Sequence, residues 1–509
     1  MKVFSELSHY KGKKGGYTVR KWHKEQILEV LGTMKEAQKA GLYADCQDGA
    51  LALIDFIDSV VGEETRTALL LEEYCQLLFQ AHNGEINAKL LRQHLYRVEN
   101  SVKTELKITK YKVLFLPYYD NTWESMKSLY LAFSEDPLFE TEIVIIPIQR
   151  NTNEGIKYVW DDYLTPAGIP NTHFDVYDFE VDRPDIVFYN QPYDGVNISK
   201  FYSSNVRKYT DCMVYVPYSV KPVNAQAMQY QNAYTELEAI QRCDLFIAQS
   251  KAFYDHYLKG TPLAKKALIH GHPKLDSLYF AKTKNEYIHY DDWAEAIGER
   301  RVILLNTHYS YMIEGVEAHP GVKGLIDNVM NNEELFLIWR PHPQAFLMKM
   351  SPQMQAMIQF AEKHKRMLID RSPSMTSGYM YADCLISLFP STVVMDALFL
   401  DLPVFVLGRE DLKRASNYQK ENQFYLAVAH EDFNQTIPDQ TEQLEIRMAY
   451  IENSIIHPLN VFLTEIRNGK DSKELDRARF RCEQFPNPNG TVAKEILKAI
   501  KNKLEGGTM

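Results

Sequence analysis

The sequence predicts an α/β protein with two doubly wound, Rossmann-like lobes facing a cleft, preceded by a helical domain. Three observations carry that expectation. The first hundred or so residues show only helical patterning; two successive series of short apolar runs follow, separated by helical stretches; and 509 residues are too many for one ordinary hydrophobic core. Continuous apolar runs of about four to six residues, alternating with helices, are the pattern of parallel strands buried on both faces.

Taken in chain order, Ile27, Val30, Leu31 and Met34 repeat at helical spacing, as do Ile86, Leu90, Val98 and Val102. ALALIDFIDSVV and TALLLEEYCQLLF between them are apolar enough for core helices. This helical domain spans 1–108, and its expected roles are packing on the body, self-association or acceptor docking. At Tyr111 the pattern changes. YKVLFL, EIVIIP, DIVFY, CMVYV, DLFIA and KALI predict the strands of a first lobe, 109–290. After the polar stretch TKNEYIHYDDWAEAIGER, the runs RVILLN, LFLIW, MLI, CLISL and PVFVL predict a second, 291–425. The tail, 426–509, returns to helix with IRMAYIENSII and VAKEILKAIKNKL around the break FPNPNG, and is expected to cross back and brace the lobes.

Composition narrows the function classes. Hydrophobic residues make up 45% and charged residues 24%, the balance of a globular protein. No run of about 18 apolar residues occurs and the first residues lack a secretory apolar core, so a cytoplasmic location is expected. Six scattered cysteines without C-x-x-C spacing suggest buried thiols rather than a zinc site or disulfide framework. A net charge of −10 argues against nucleic acid as a partner. Lys2, Lys11, Lys13, Lys14, Arg20, Lys21 and Lys24 nevertheless outnumber Glu6 near the start, with Tyr10, Tyr17 and Trp22 interleaved. Peripheral contact with an anionic membrane surface and a frayed, solvated terminus are both open readings. There is no G-x-G-x-x-G or G-K-[ST] loop, which disfavours NAD enzymes and P-loop kinases. Asp161-Asp162 and Asp291-Asp292 lack the spacing of a D-x-D metal motif and read as solvated loops; neither a metal nor a cofactor is expected.

In open α/β sheets ligands bind beyond the carboxyl ends of the strands. There the sequence places Asn306, Thr307 and His308 after RVILL, Arg340-Pro341-His342-Pro343 after LFLIW, and, after CLISL with its Ser387, Phe389-Pro390-Ser391-Thr392 before the helical run VVMDALF. Ser391 and Thr392 can cap that helix, or hold a diphosphate at its N-terminus. Asp396, four residues on, reads as a ribose-hydroxyl acceptor or as a solvated helix acid. Pro341 is expected to turn the chain out of the sheet, leaving Arg340 and His342 as donors to a phosphate that gains charge during transfer. His272, in Gly271-His272-Pro273-Lys274-Leu275-Asp276 after KALI, is weighed in the same way.

RPHP after a strand, S-x-x-x-S-T before an apolar helix with an Asp, and GHPKLD between the lobes together resemble the CDP-glycerol glycerophosphotransferase family of teichoic-acid and capsule synthesis. The resemblance runs from about Val113 to Leu407 and is strongest in the second lobe. It implies a glycosyltransferase B fold, no metal, and attack by an acceptor hydroxyl on the β-phosphorus of CDP-glycerol with release of CMP. Carried over, Arg340 and His342 contact the donor phosphates, Ser391 and Thr392 hold them, and Asp396 lies near the ribose. Gly271, Pro273, Lys274 and Asp276 shape the interlobe edge, and Asn306 and Thr307 match a small polar turn. The acceptor it implies is a glycan or a lipid-linked molecule. Two departures stand out. Where the family carries W-H-G-T-P-x-K, with its presumed general base, this chain reads Tyr215-Val216-Pro217-Tyr218-Ser219-Val220-Lys221-Pro222, and Leu388-Phe389-Pro390 replaces D-Y. Tyr218 stands in the base position and needs a cation such as Lys221 to lower its pKa; His272 is the other candidate base. A nucleotide-sugar transferase or 2-epimerase of the same fold, and an inactive scaffold, remain alternatives.

Overall fold

The computed structural model describes residues 19–62, 65–118, 120–152, 155–159, 169–221, 235–307, 320–342, 346, 351–388, 392–407, 430–431 and 456–506. Four helices, Lys21–Lys39, Tyr43–Val61, Arg66–His82 and Ala88–Glu105, open the chain. Their apolar stripes meet in one core that includes Leu31, Leu53, Ile57, Leu71, Tyr74, Leu95 and Val98. Thr65 and Asn87 cap the third and fourth helices through their side-chain oxygens.

β1 (Tyr111–Leu116), β2 (Phe139–Ile143), β5 (Ile186–Tyr189), β6 (Cys212–Tyr215), β7 (Leu245–Ile247) and β8 (Ala267–Leu268) form a sheet in the order β2-β1-β5-β6-β7-β8, parallel throughout. An antiparallel hairpin, β3 (Ile148–Thr152) and β4 (Gly155–Val159), interrupts the series. The second sheet is also parallel and has the order β11-β10-β9-β12-β13-β14. Its strands are β9 (Arg301–Thr307), β10 (Leu335–Pro341), β11 (Met367–Ile369), β12 (Cys384–Ser387), β13 (Val404–Val406) and β14 (His430–Glu431).

Three expectations need correction. The second strand is FETEI rather than EIVIIP: β2 lies at the sheet edge, where its central residues Glu140, Thr141 and Glu142 are only half-buried, and the apolar residues Val144 and Ile145 are buried just beyond it. Pro341 does not turn the chain out of the sheet, because β10 includes it opposite Thr307 and the exit falls at His342. Asp291 and Asp292 open the helix Asp291–Ile297, where negative charge favours the N-terminal end, instead of sitting in a loop. Asp161 and Asp162 lie outside the described residues.

The helical bundle is fastened to one end of the first sheet. Arg20 Nε lies 3.7 Å from Asp185 Oδ2, just before β5, and Lys21 Nζ lies 2.6 Å from Asp211, just before β6. Lys24 Nζ donates to the Lys103 carbonyl at 2.9 Å. These three cations of the basic start are therefore engaged within the protein, and its first eighteen residues lie outside those described. Because the anchors precede the strands, the bundle sits at the end of the sheet opposite the carboxyl ends where a ligand belongs.

The chain crosses between the lobes twice, through the helix Lys274–Lys284 and again through Phe485–Thr491 before the helix Val492–Glu505. That last helix buries Val492, Ile496 and Ile500 against Val113, Phe115 and Phe133 of the first lobe. The helices His457–Arg467 and Glu474–Gln484 pack on the second lobe through Leu459, Phe462 and Phe480. Among the described residues no helix is long and apolar enough to cross a membrane. Cys46, Cys212, Cys243 and Cys384 are buried free thiols, Cys75 is half-buried and Cys482 is exposed, contrary to the expectation for that one.

Candidate functional site

Strand pairing brings the predicted second-lobe residues together. Asn306 is opposite Arg340 on one side and Ser387 on the other, at the centre of the sheet. Its Nδ2 is 3.4 Å from the Arg340 carbonyl. His342 follows β10 and is half-buried, and Thr392 begins the helix Thr392–Phe399. His308, Pro343 and Ser391 lie outside the described residues.

The side chains are less open to a ligand than their positions suggest. Arg340 is buried, and its Nη1 donates to Asp370 Oδ1 at 2.8 Å, to the Ser372 carbonyl at 2.6 Å and to Ser372 Oγ at 3.0 Å. Thr307 is buried, and its Oγ1 accepts from Trp339 Nε1 at 3.0 Å. Ser387 is fully buried within β12. Burial, with Arg340 nearby, holds the His342 imidazole below its usual range, so it is neutral at pH 7 and acts as a hydrogen-bonding group rather than a cation.

Asp396 is not a solvated acid. It is fully buried, ion-paired with the Lys274 ammonium, and accepts from the Tyr379 hydroxyl at 3.3 Å. The helix Thr392–Phe399 buries this face because VVMDALF is apolar around the acid. Lys274 thus ties the crossing helix to the second lobe.

The rest of GHPKLD is a structural joint. Gly271 has φ +109°, and a Cβ there would come within 2.7 Å of Val492 Cγ2 and 2.8 Å of the Pro486 carbonyl, so only glycine fits. His272 is fully buried; its Nε2 is 2.7 Å from the Pro217 carbonyl and its Nδ1 accepts from the Lys274 amide at 3.2 Å. Burial depresses its pKa to about 3. With both nitrogens committed, His272 is not a general base. The Pro273 carbonyl accepts from Ser128 Oγ at 2.9 Å. Asp276 accepts from the amides of Val492 and Ala493 at 3.0 and 2.8 Å, capping the last helix, and burial pushes its carboxyl up to about 6. Asn487 Nδ2 donates to the His270 carbonyl at 2.8 Å. The two interlobe crossings are thereby locked to one another.

Tyr218 does not have the lowered pKa a base requires. Although 38% of its surface is exposed, burial of the hydroxyl raises the phenol. Lys221 Nζ stands 6.0 Å from the ring centroid, and burial lowers that ammonium to about 8.

Several residues were missed. Asp370 and Ser372 follow β11 directly, and Gln191 and Gln249 lie just after β5 and β7, so inspection of every strand end would have found them. Tyr379, on the helix Thr376–Tyr381, carries no such signal.

Comparison with known proteins fits this architecture. No family model matches the chain, and no curated protein matches its sequence. Among solved structures, a protein of Listeria monocytogenes described as a UDP-N-acetylglucosamine 2-epimerase shares 16% identity, over 78% of this chain and 97% of its own, at a TM-score of 0.50. MnaA of S. aureus, solved with UDP, gives 13% identity, 78% and 97% coverage, and a TM-score of 0.50. The wall teichoic acid polymerase TagF gives 12% identity, 87% and 99% coverage, and a TM-score of 0.46, too low to bear on the argument. The first two establish a shared fold: this is a two-lobed α/β protein of glycosyltransferase B type with an added helical bundle.

Proposed function

We propose that the chain is a transferase that moves glycerol phosphate, or a related alditol phosphate, from a CDP-alditol to a glycan or lipid-linked acceptor in cell-surface polymer synthesis. The observation that carries this reading is the convergence of Asn306, Arg340, His342 and the Thr392 helix start at the carboxyl ends of the second sheet. The acceptor oxygen forms a bond to the β-phosphorus, the bond to CMP breaks, and the hydroxyl proton passes to a base. Such chemistry depends on positioning and charge stabilisation more than on a protein nucleophile. A neutral imidazole at His342 can donate to a phosphate oxygen through its N–H and take a proton at its other nitrogen. Arg340, held by Asp370 and Ser372, fixes the end of the strand that carries His342.

A second reading, a nucleotide-sugar transferase or UDP-sugar 2-epimerase, is favoured by a specific observation. Neither His272 nor Tyr218 is suited to be the first-lobe base that phosphotransfer would use, while two proteins of the same fold are, by description, a UDP-N-acetylglucosamine 2-epimerase and a UDP complex. Calorimetric titration with CDP-glycerol, CDP-ribitol, UDP-N-acetylglucosamine and CMP, repeated on His342→Ala and Thr392→Ala, separates the two. Cytidine-selective binding weakened at least tenfold by both substitutions supports the alditol-phosphate transferase. Uridine preference moves the assignment to the second reading, and binding without any turnover points to a scaffold.

A further inference from the structure

The basic start of the chain, which the donor site does not use, joins the described protein beside a surface of opposite charge. Val19 is buried, and its amide donates to Thr109 Oγ1 at 3.0 Å. The Arg20 guanidinium donates to the Arg183 carbonyl as well as pairing with Asp185. Residues 1–18 are therefore attached in the seam between the helical bundle and the first lobe, next to the segment that leads into β5.

That segment, residues 175–183, presents apolar and acidic side chains together. Val176 is 73% and Val181 65% exposed, among the most exposed of the described large apolar side chains, and Asp175, Asp178 and Glu180 beside them are exposed as well. Its backbone is set locally: Asp178 Oδ1 accepts from the Glu180 amide at 2.8 Å and so caps the short helix Phe179–Asp182. Asp182 is spent on Lys112, and Glu180 Oε1 accepts from the Tyr209 hydroxyl at 3.0 Å. Among the described residues no lysine or arginine pairs with the carboxylates of Asp175, Asp178 or Glu180; His173 Nδ1 lies 3.8 Å from Asp175 Oδ2. A single exposed valine needs no explanation. Two of them among three carboxylates that no lysine or arginine neutralises, at the point where a lysine-rich segment is attached, form a surface complementary to that segment.

We propose that residues 1–18 dock on this face as a strap, with Lys11, Lys13 and Lys14 meeting Asp175, Asp178 and Glu180, and Tyr10 and Tyr17 covering Val176 and Val181. The charges match: the segment carries Lys2, Lys11, Lys13 and Lys14 against Glu6, in a chain whose net charge is −10. The reach is sufficient, because the five residues from Lys14 to Val19 span about 17 Å when extended. Gly15-Gly16 allows the chain to bend back between the lysines and the attachment point. Exposed ion pairs are individually weak. A tether this short, however, holds the lysines at an effective concentration on the order of millimolar, at which a few weak contacts suffice. The strap crosses the seam that Arg20 and Asp185 already close, and so holds the bundle to the first lobe a second time. It is independent of which donor the second lobe takes.

Amide hydrogen exchange on the full chain tests it, with the wild type and the triple variant Lys11→Glu/Lys13→Glu/Lys14→Glu compared at about 0.05 M and about 0.5 M salt. At low salt, residues 175–183 of the wild type exchange about threefold or more slowly than those of the variant, and high salt, which screens exposed charges, removes the difference. Zero-length carbodiimide cross-linking of the wild type joins Lys11, Lys13 or Lys14 to Asp175, Asp178 or Glu180 within one chain, as a mixture of isotope-labelled and unlabelled protein shows. Melting temperature reports whether the variant remains folded; the salt comparison and the cross-links need only the wild type. Equal exchange in wild type and variant at low salt, or absence of those cross-links, overturns the proposal. Cross-links found only between labelled and unlabelled chains assign the face to a second copy. Protection of residues 1–18 seen only with vesicles of phosphatidylcholine and phosphatidylserine assigns the segment to a membrane surface. Either of these results overturns the proposal as well.

Discussion

The carboxyl ends of the two sheets solve opposite problems. In the second lobe the polar groups face inward: Arg340 is buried against Asp370, Thr307 against Trp339, and Asp396 against Lys274 and Tyr379. In the first lobe buried Asn190, Gln191 and Gln249 support the backbone while Tyr193 and Tyr218 face out. The second lobe closes its polar groups into buried pairs, and the first uses buried polar groups to support exposed rings. Between them, GHPKLD joins the lobes.

The largest expected effect tests that joint. Lys274→Met leaves the Asp396 carboxylate buried with only the Tyr379 hydroxyl, and should cost about 3–5 kcal/mol, read as a lowered urea midpoint. The double variant Lys274→Met/Asp396→Leu should recover most of it, since removing both charges leaves none unpaired. A single variant as stable as the wild type would mean that the pair does not tie the crossing helix to the lobe.

Gly271→Ala comes next, at about 2–3 kcal/mol, because its positive φ is compounded by close approach to Val492 and Pro486. Gly41, with φ +75° and nothing within 4 Å of an added Cβ, should lose clearly less on the same change. Equal losses would show that the interlobe contact adds nothing to the backbone strain.

His272 and Asp276 differ in the sign of their pH dependence. The folded Asp276 carboxyl, raised from 3.8 to about 6, binds its proton more tightly than the unfolded one. Its contribution is full below about pH 4 and is lost as pH rises through about 6. The His272 ring, depressed from 6.5 to about 3, contributes stability above about pH 6.5 that is lost as pH falls toward 3. Urea midpoints from pH 3.5 to 7 should show Asp276→Asn gaining on the wild type as pH rises and His272→Gln gaining as it falls. Curves parallel to the wild type would remove the burial argument for either group. The smallest effect is Thr307→Val, which leaves Trp339 Nε1 without its acceptor at a cost of about 1–2 kcal/mol by the same midpoints.

Much of the fold was legible because the buried parallel strands are continuous apolar runs: YKVLFL is β1 to the residue, and RVILLN lies within β9. β2 was misplaced because an edge strand is only half buried and carries Thr and Glu at positions that would be apolar in the sheet's centre. The strand-end rule put Asn306, Arg340 and His342 at the carboxyl ends where the structure has them, but sequence could not show which way each side chain turns. Asp396 read as exposed because its partner Lys274 is 122 residues away, and His272 read as reactive because nothing local reveals the Pro217 carbonyl it holds. Long-range polar pairs leave no period in a sequence.

The central claim is that the second lobe's strand ends receive the nucleotide diphosphate, and amide hydrogen exchange with and without saturating CDP-glycerol tests it most directly. Slowed exchange at Asn306–Thr307, at His342 and at the start of the Thr392–Phe399 helix is the expected result. Protection confined to the first sheet, or none at those residues despite measured binding, would contradict it.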